Sequence, residues 1–213
     1  PFMTCVRGSE ETQVQMHTIA GSDYHAFPVL LLAAGASRRM GRPKALLKFN
    51  DGTLMDHAVS QAKQLGANVT VVSGSGYPLV RYRCRNQPSA WCYTPDWVFG
   101  MAASLKSGLQ TMGPRAKGVF VTLLDQPLVS ESDLRSLAFC ARQEVSEPIA
   151  ADIYGNPGAP AYIPRRLWKE IMMLEGDRGA ARILTRHQAR TLAIKGVESD
   201  VDTPEDWKRI RYD

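Results

Sequence analysis

Five cations fall within eleven residues: Arg38, Arg39, Arg42, Lys44 and Lys48. They are threaded through a run of small residues, Ala33, Ala34, Gly35, Ala36 and Ser37, with Gly41 close behind. Small residues let the main chain approach a ligand closely, and glycine adopts dihedrals closed to other residues. Backbone N–H groups in such a loop cradle phosphate oxygens. Arg39 and Lys44 add the positive charge that a polyphosphate needs. The competing reading is a plain strand-to-helix turn with a solvated basic face. The loop is neither G-x-x-x-x-G-K-[ST] nor G-x-G-x-x-G. A second basic group, Arg81, Arg83 and Arg85, alternates as on one face of a strand and reads as an edge strand protected by charge. His57 and His187 fall in expected helices with no carboxylate or nucleophile placed beside them, so a hydrolase triad is not supported.

The elements that must position these residues follow from periodicity. The continuous apolar run 29–34 predicts a strand buried on both faces. Leu54, Ala58, Ala62 and Leu65 predict a helix over 54–65, closed by Gly66. Further strands are expected over 69–73, 90–93 and 118–124, with a helix over 101–112 that stops at Gly113-Pro114. Ser130 and Asp133 carry a capping signal for a helix to about 143. Short strands over 149–151 and 161–163 flank a Gly/Pro-rich turn. Helices over 165–174 and 180–187 and a strand over 191–194 come next. Thr203-Pro204 then opens a last helix. Such alternation predicts an α/β protein, a mostly parallel sheet with helices on both faces. Ligands in these sheets bind outside the carboxyl ends of the strands. The basic loop follows the first strand, Ser73-Gly74-Ser75-Gly76 the second, and Asp125 the fourth.

Composition narrows the class. The chain has 213 residues, 44% hydrophobic and 22% charged, with a net charge of +5. That is ordinary for a globular domain and long enough to bury a core without disulfide or metal staples. The longest apolar run has six residues, against about 20 for a membrane span. No secretory segment is visible, which predicts the cytoplasm. Cys5, Cys84, Cys92 and Cys140 form no C-x-x-C pair and read as ordinary thiols. The methionines, and Trp91, Trp97, Trp168 and Trp207, read as packing and anchoring residues. Residues 1–27 read as an irregular arm or leader remnant, in which Met3 and Met16 could be initiators, and 28–213 as one domain.

The string Leu32-Ala33-Ala34-Gly35 followed by Arg39-Met40-Gly41-Arg42-Pro43-Lys44 resembles the signature of the MobA-like nucleotidyltransferase superfamily. Asp125-Gln126-Pro127 looks like that family's D-x-P, and Asp200-Val201-Asp202-Thr203-Pro204-Glu205-Asp206 its C-terminal D-x-D-T-P-E-D. The stretch from Pro95 to Leu109, with Gly100-Met101 and Ser104, resembles the molybdenum cofactor cytidylyltransferase branch, as does Gly176-Asp177-Arg178-Gly179-Ala180. Gly155-Asn156-Pro157-Gly158-Ala159-Pro160 resembles G-x-P-G-H-P with Ala159 in place of His, and Thr94 stands where the branch usually has Asn. Both departures touch the acceptor side.

The resemblance implies a three-layer α/β/α Rossmann-like fold and transfer of CMP from CTP to the terminal phosphate of molybdopterin, with release of pyrophosphate. It implies that Arg39, Lys44 and Asp125 are catalytic. Ala33, Ala34, Gly35, Arg38, Gly41, Ser73, Gly74, Gly100 and Ser104 would bind the nucleotide. Asp125 and Asp202 would hold Mg²⁺, with Asp200 as the substitute; Asp202 could otherwise cap the last helix with Thr203. The methyl of Ala34 narrows the space beside the base and favours a pyrimidine. A molybdenum hydroxylase apoenzyme is the implied protein partner, with neither nucleic acid nor membrane involved. The alternatives are a GTP-dependent guanylyl transfer, a sugar- or alditol-phosphate acceptor, and a non-catalytic cofactor chaperone. A nicotinamide-dependent oxidoreductase is suggested only by the α/β pattern, and the missing G-x-G-x-x-G argues against it.

Overall fold

The computed structural model describes residues 23–212. Met3, Cys5 and Met16 lie outside the described residues. In chain order the elements are α1 (Asp23–Ala26), β1 (Val29–Ala33), β2 (Lys48–Phe49), β3 (Gly52–Thr53), α2 (Leu54–Leu65), β4 (Val69–Ser73), α3 (Leu79–Arg83), β5 (Ala90–Tyr93), α4 (Met101–Gln110), β6 (Gly118–Leu123), α5 (Glu131–Gln143), β7 (Ile149–Ile153), β8 (Asn156–Pro164), α6 (Trp168–Ile171), α7 (Ala181–Arg186), β9 (Arg190–Leu192) and α8 (Pro204–Tyr212). Seven strands form one sheet in the order β5-β4-β1-β6-β8-β7-β9, and β2 and β3 form a separate two-stranded ribbon. The strands of the large sheet run parallel except β8, which is antiparallel to both of its neighbours β6 and β7.

Strand side chains alternate between the two faces and feed two cores. Val29, Leu31, Val69, Val71 and Phe120 pack with α2, α5 and α8. Leu30, Leu32, Val72, Val119 and Val121 pack with α4, α6 and α7 on the other face. The expected three-layer α/β architecture is therefore present. Central β1 is covered on both sides, which is why it reads as an unbroken apolar run. No helix among the described residues is long and apolar enough to cross a membrane.

Several expectations are corrected. Arg81 and Arg83 lie on helix α3 and Arg85 follows it; the edge strands of the large sheet are β5 and β9. Val80 and Cys84, four residues apart, are both buried, so one helical stripe faces the core while the arginines project outward. The expected helix over 165–174 is a 3-10 turn at Arg165–Leu167 followed by α6, a single turn. The last strand falls over Arg190–Leu192 instead of 191–194. Packing also begins before residue 28: Asp23–Ala26 form a helical turn, and Phe27 is buried against Phe120 and Tyr162.

Helix α2 links the fold to the site. Thr53 caps it through its hydroxyl, which accepts from the Asp56 amide, while Asp56 Oδ2 accepts from the Thr53 amide at 2.8 Å. Asp56 Oδ1 accepts from the amides of Arg85 and Asn86, at 2.6 and 2.8 Å. Burial alone would raise the Asp56 carboxyl, but the hydrogen bonds from Asn86, Thr53 and Arg85 bring it from 3.8 down to about 2. A carboxylate lowered by folding stabilises the protein above its unfolded value, and that contribution is lost as pH falls through the folded value. Asp56→Ala is therefore expected to cost about 1–2 kcal/mol at pH 7, the scale of a lost cap. The deficit should shrink as pH drops below 3.8 toward about 2. Urea unfolding of both proteins at pH 7 and at pH 3 checks this; a pH-independent deficit would contradict it.

Candidate active site

The site forms at the carboxyl ends of β1 and β6. After β1 the chain makes a 3-10 turn over Arg38–Met40, bracketed by Ser37 (φ 52) and Gly41 (φ 69), both left-handed. Met40 is buried and pins the turn to the core, so its neighbour Arg39 projects outward. Ser37 Oγ accepts from the Lys44 amide at 3.1 Å, which closes the loop and carries Lys44 back over the sheet.

Lys44 is the pivot. Its side chain is only 11% exposed, and Nζ donates to Asp125 Oδ2 at 3.2 Å and to Asp202 Oδ1 at 2.7 Å. Arg39 donates to the other oxygen of Asp202 at 2.7 Å. Burial would raise the Asp202 carboxyl; the hydrogen bond and charge of Lys44, then those of Arg39, hold it below the usual carboxylate range. Asp202 thus belongs to the site. The capping role falls to Thr203, whose hydroxyl accepts from the Asp206 amide while Asp206 Oδ2 accepts from the Thr203 amide. Asp200 lies close by, and partial burial, followed by the negative charges of Asp125 and Asp202, raises its carboxyl.

Asp125 Oδ1 is buried and has no partner among the described residues. The turn that carries it is held from two sides. Gln61 and His57 on α2 bond to the carbonyl of Pro127, and Gln61 also bonds to that of Val129. The Gln126 amide donates to the Val197 carbonyl at 3.2 Å, and the Val201 amide to the Asp125 carbonyl at 2.8 Å. These last two bonds tie the segment bearing Asp200 and Asp202 to the end of β6.

The cations and carboxylates face a cavity of about 200 Å³, which shares Gly35, Ser37, Arg38, Arg39 and Asp125 with a larger cleft of about 500 Å³. Ala33 lines the first; Ala34, Gly100 and Ser104 line the second. The volume suits a nucleotide. Nothing lies within 4 Å of where a side chain would begin at Gly35, so this backbone is open to a ligand. Ser104 is buried, and its hydroxyl has no partner among the described residues.

Three expected nucleotide residues sit differently. Ser73 is 1% exposed, and its hydroxyl donates to the Cys92 carbonyl inside the sheet, so it does not face the cleft. Gly74 acts through packing: a Cβ there would stand 2.6 Å from Trp97 and 2.7 Å from the Ala34 carbonyl. Gly41 closes the 3-10 turn and lines neither cavity. Trp97, expected as an anchor, lines the larger cleft, and so does Asp177, for which the sequence suggested no role. His187 does have a carboxylate partner, Glu170 at 2.7 Å, but in a surface cluster with Arg166 and Arg186 away from the cleft. The sequence separation of these residues hid the pairing.

Residues 29–191 match the family model of the MobA-like NTP transferase domain. The chain belongs to this family. The family reading makes it a nucleotidyltransferase, and the match takes in the basic loop and strands β1 to β8. Over 185 residues the chain is 23% identical to the molybdenum cofactor cytidylyltransferase of Escherichia coli (strain K12), covering 85% of this chain and 94% of that protein. It is 29% identical over 194 residues to the nicotine blue oxidoreductase of Paenarthrobacter nicotinovorans, with the same coverage. The crystal structure of Rv0371C from Mycobacterium tuberculosis H37Rv in complex with manganese superposes with a TM-score of 0.74 at 28% identity, covering 88% of this chain and 98% of that one.

Proposed function

We propose that this MobA-like protein transfers CMP from CTP to the terminal phosphate of molybdopterin in the cytoplasm, releasing pyrophosphate. The observation that carries the reading is the buried Lys44 ammonium between Asp125 and Asp202, beside an open glycine loop. Support for the acceptor comes from the cytidylyltransferase among the relatives. A phosphate monoester has its second pKa near 6 and is already ionised at pH 7. Attack of its oxygen on the α-phosphorus forms a P–O bond as the bond to pyrophosphate breaks, and no general base is needed. The protein's task is positioning and charge neutralisation.

Arg39 and Lys44, held on the carboxylates before substrate arrives, turn to the phosphate oxygens and stabilise the departing pyrophosphate. Asp125, through its unpartnered Oδ1, and Asp202 would hold a divalent cation, Mg²⁺ or Mn²⁺. Two protein carboxylates suit such an ion, because substrate phosphates and waters supply its remaining ligands. When bound, the cation neutralises phosphate charge. An acceptor of this kind is oxygen-labile, which favours direct handover to a molybdenum hydroxylase apoenzyme.

The test is pyrophosphate release from CTP, GTP and ATP with molybdopterin, with Mg²⁺ or Mn²⁺ and with chelator. Release from CTP that requires both metal and acceptor supports the proposal. Preference for GTP moves the protein to guanylyl transfer, and binding of molybdopterin without pyrophosphate release makes it a carrier.

A further inference from the structure

The larger cleft carries charges of both signs: Asp125 lies with the cations, and Asp177 is a second carboxylate. Arg38 and Arg39 face one part of it, next to Lys44 in the adjoining cavity. Asp177 lines the same cleft, next to Gly100 at the start of α4. Its carboxylate has no hydrogen bond or ion pair among the described residues. It lies against the start of α4, where a Cβ on Gly100 (φ 97) would stand 2.5 Å from Asp177 Oδ1. It does not cap that helix, because the Ala102 amide bonds instead to the carbonyl of Gly176, at 3.0 Å. An unengaged carboxylate and the unengaged hydroxyl of Ser104 therefore line the same cleft.

We infer that Asp177 is a specificity-determining residue: its carboxylate accepts hydrogens from the exocyclic amino group of the nucleotide base, with the Ser104 hydroxyl alongside. The inference rests on the proposal that this cleft holds a nucleoside triphosphate. The cations Arg38, Arg39 and Lys44 draw the triphosphate to their side, which leaves the base toward Asp177. The 4-amino group of cytosine gives a carboxylate hydrogens to accept. The 4-oxo group of uracil presents a lone pair to the same negative charge. A site arranged to accept hydrogens from an amino group rejects an analogue that presents a lone pair instead.

The experiment is calorimetric titration of CTP and UTP, with Mg²⁺ and without acceptor, into the wild-type protein, Asp177→Asn and Ser104→Ala. The wild type should prefer CTP by about ten-fold or more, the scale of one hydrogen bond to a charged group. Asp177→Asn, whose amide can both donate and accept, should bring the two affinities close together with an unchanged melting temperature. Ser104→Ala should weaken both nucleotides. An Asp177→Asn protein that keeps the wild-type CTP:UTP ratio overturns the inference. So does equal weakening of CTP and UTP, which a ribose contact would produce. A wild-type protein that binds neither nucleotide overturns the nucleotidyl-transfer reading itself, which separates the two failures.

Discussion

Asp125→Ala is expected to lower turnover by about three orders of magnitude, the upper range for removing one charge-stabilising group from a transition state, and to abolish metal dependence. The structure makes this separable from unfolding. Asp125 Oδ1 has no partner to lose, and Lys44 keeps its shorter contact, 2.7 Å to Asp202. Removing the charge also relieves Asp200, whose carboxyl Asp125 helps to raise. The stability change should therefore stay within about 1 kcal/mol, or 2–4 °C in melting temperature for a chain of this size. Asp125→Asn keeps the shape without the charge and should lose as much activity. Pyrophosphate release, Mn²⁺ binding and thermal melting together check the assignment. Full turnover in the Asn variant would sink the metal-holding role.

Elements with one clear period were legible from sequence, and those set by partners were not. Helix α2 and strand β4 fall where periodicity put them, because each has the burial pattern its own residues specify. Strand β8 runs from Asn156 to Pro164, whereas only 161–163 read as strand. Pro157 and Pro160 suggested a turn, since proline interrupts a central strand. The structure resolves this through unequal neighbours. β6 pairs only with residues 161–164, and the earlier half of β8 pairs with β7 alone, across a register shift between Ala150 and Ala151. A missing N–H is tolerated where one side has no partner strand.

The site was legible where chemistry and turn signal coincide. Arg39, Lys44, Asp125 and Asp202 come together from three distant segments, because each follows a strand end or precedes a helix start. Ser73 was misread because a residue at a strand's carboxyl end can face the interior; only the position of Cys92 shows that it does. Trp97 and Asp177 lie in motifs the sequence offers, but their place in the cleft depends on how Gly74 and Gly100 admit them, a tertiary fact without a period in the sequence.

Lys44→Ala should act in opposite directions on the site's two ligand classes. The triphosphate loses a charge-assisted contact, so its affinity should fall by about 1.5–3 kcal/mol, roughly 10- to 150-fold. The carboxylates lose their shared cation. Asp125 and Asp202 then face each other with only Arg39, whose side chain is 70% exposed, to offset the repulsion. Since Lys44 leads the influences that lower the Asp202 carboxyl, that group should rise. Two carboxylates freed of an ammonium should also bind Mn²⁺ alone more tightly than the wild type does at neutral pH. Lys44→Arg restores charge but not the compact ammonium that fits between two carboxylates, so it should rescue nucleotide affinity only in part. Calorimetry with CTP and with Mn²⁺ separately reads both signs. Unchanged CTP affinity would remove Lys44 from the nucleotide's contacts. Weaker Mn²⁺ binding would mean that the carboxylates depend on Lys44 for their positions, and that Lys44 organises the site before any phosphate arrives.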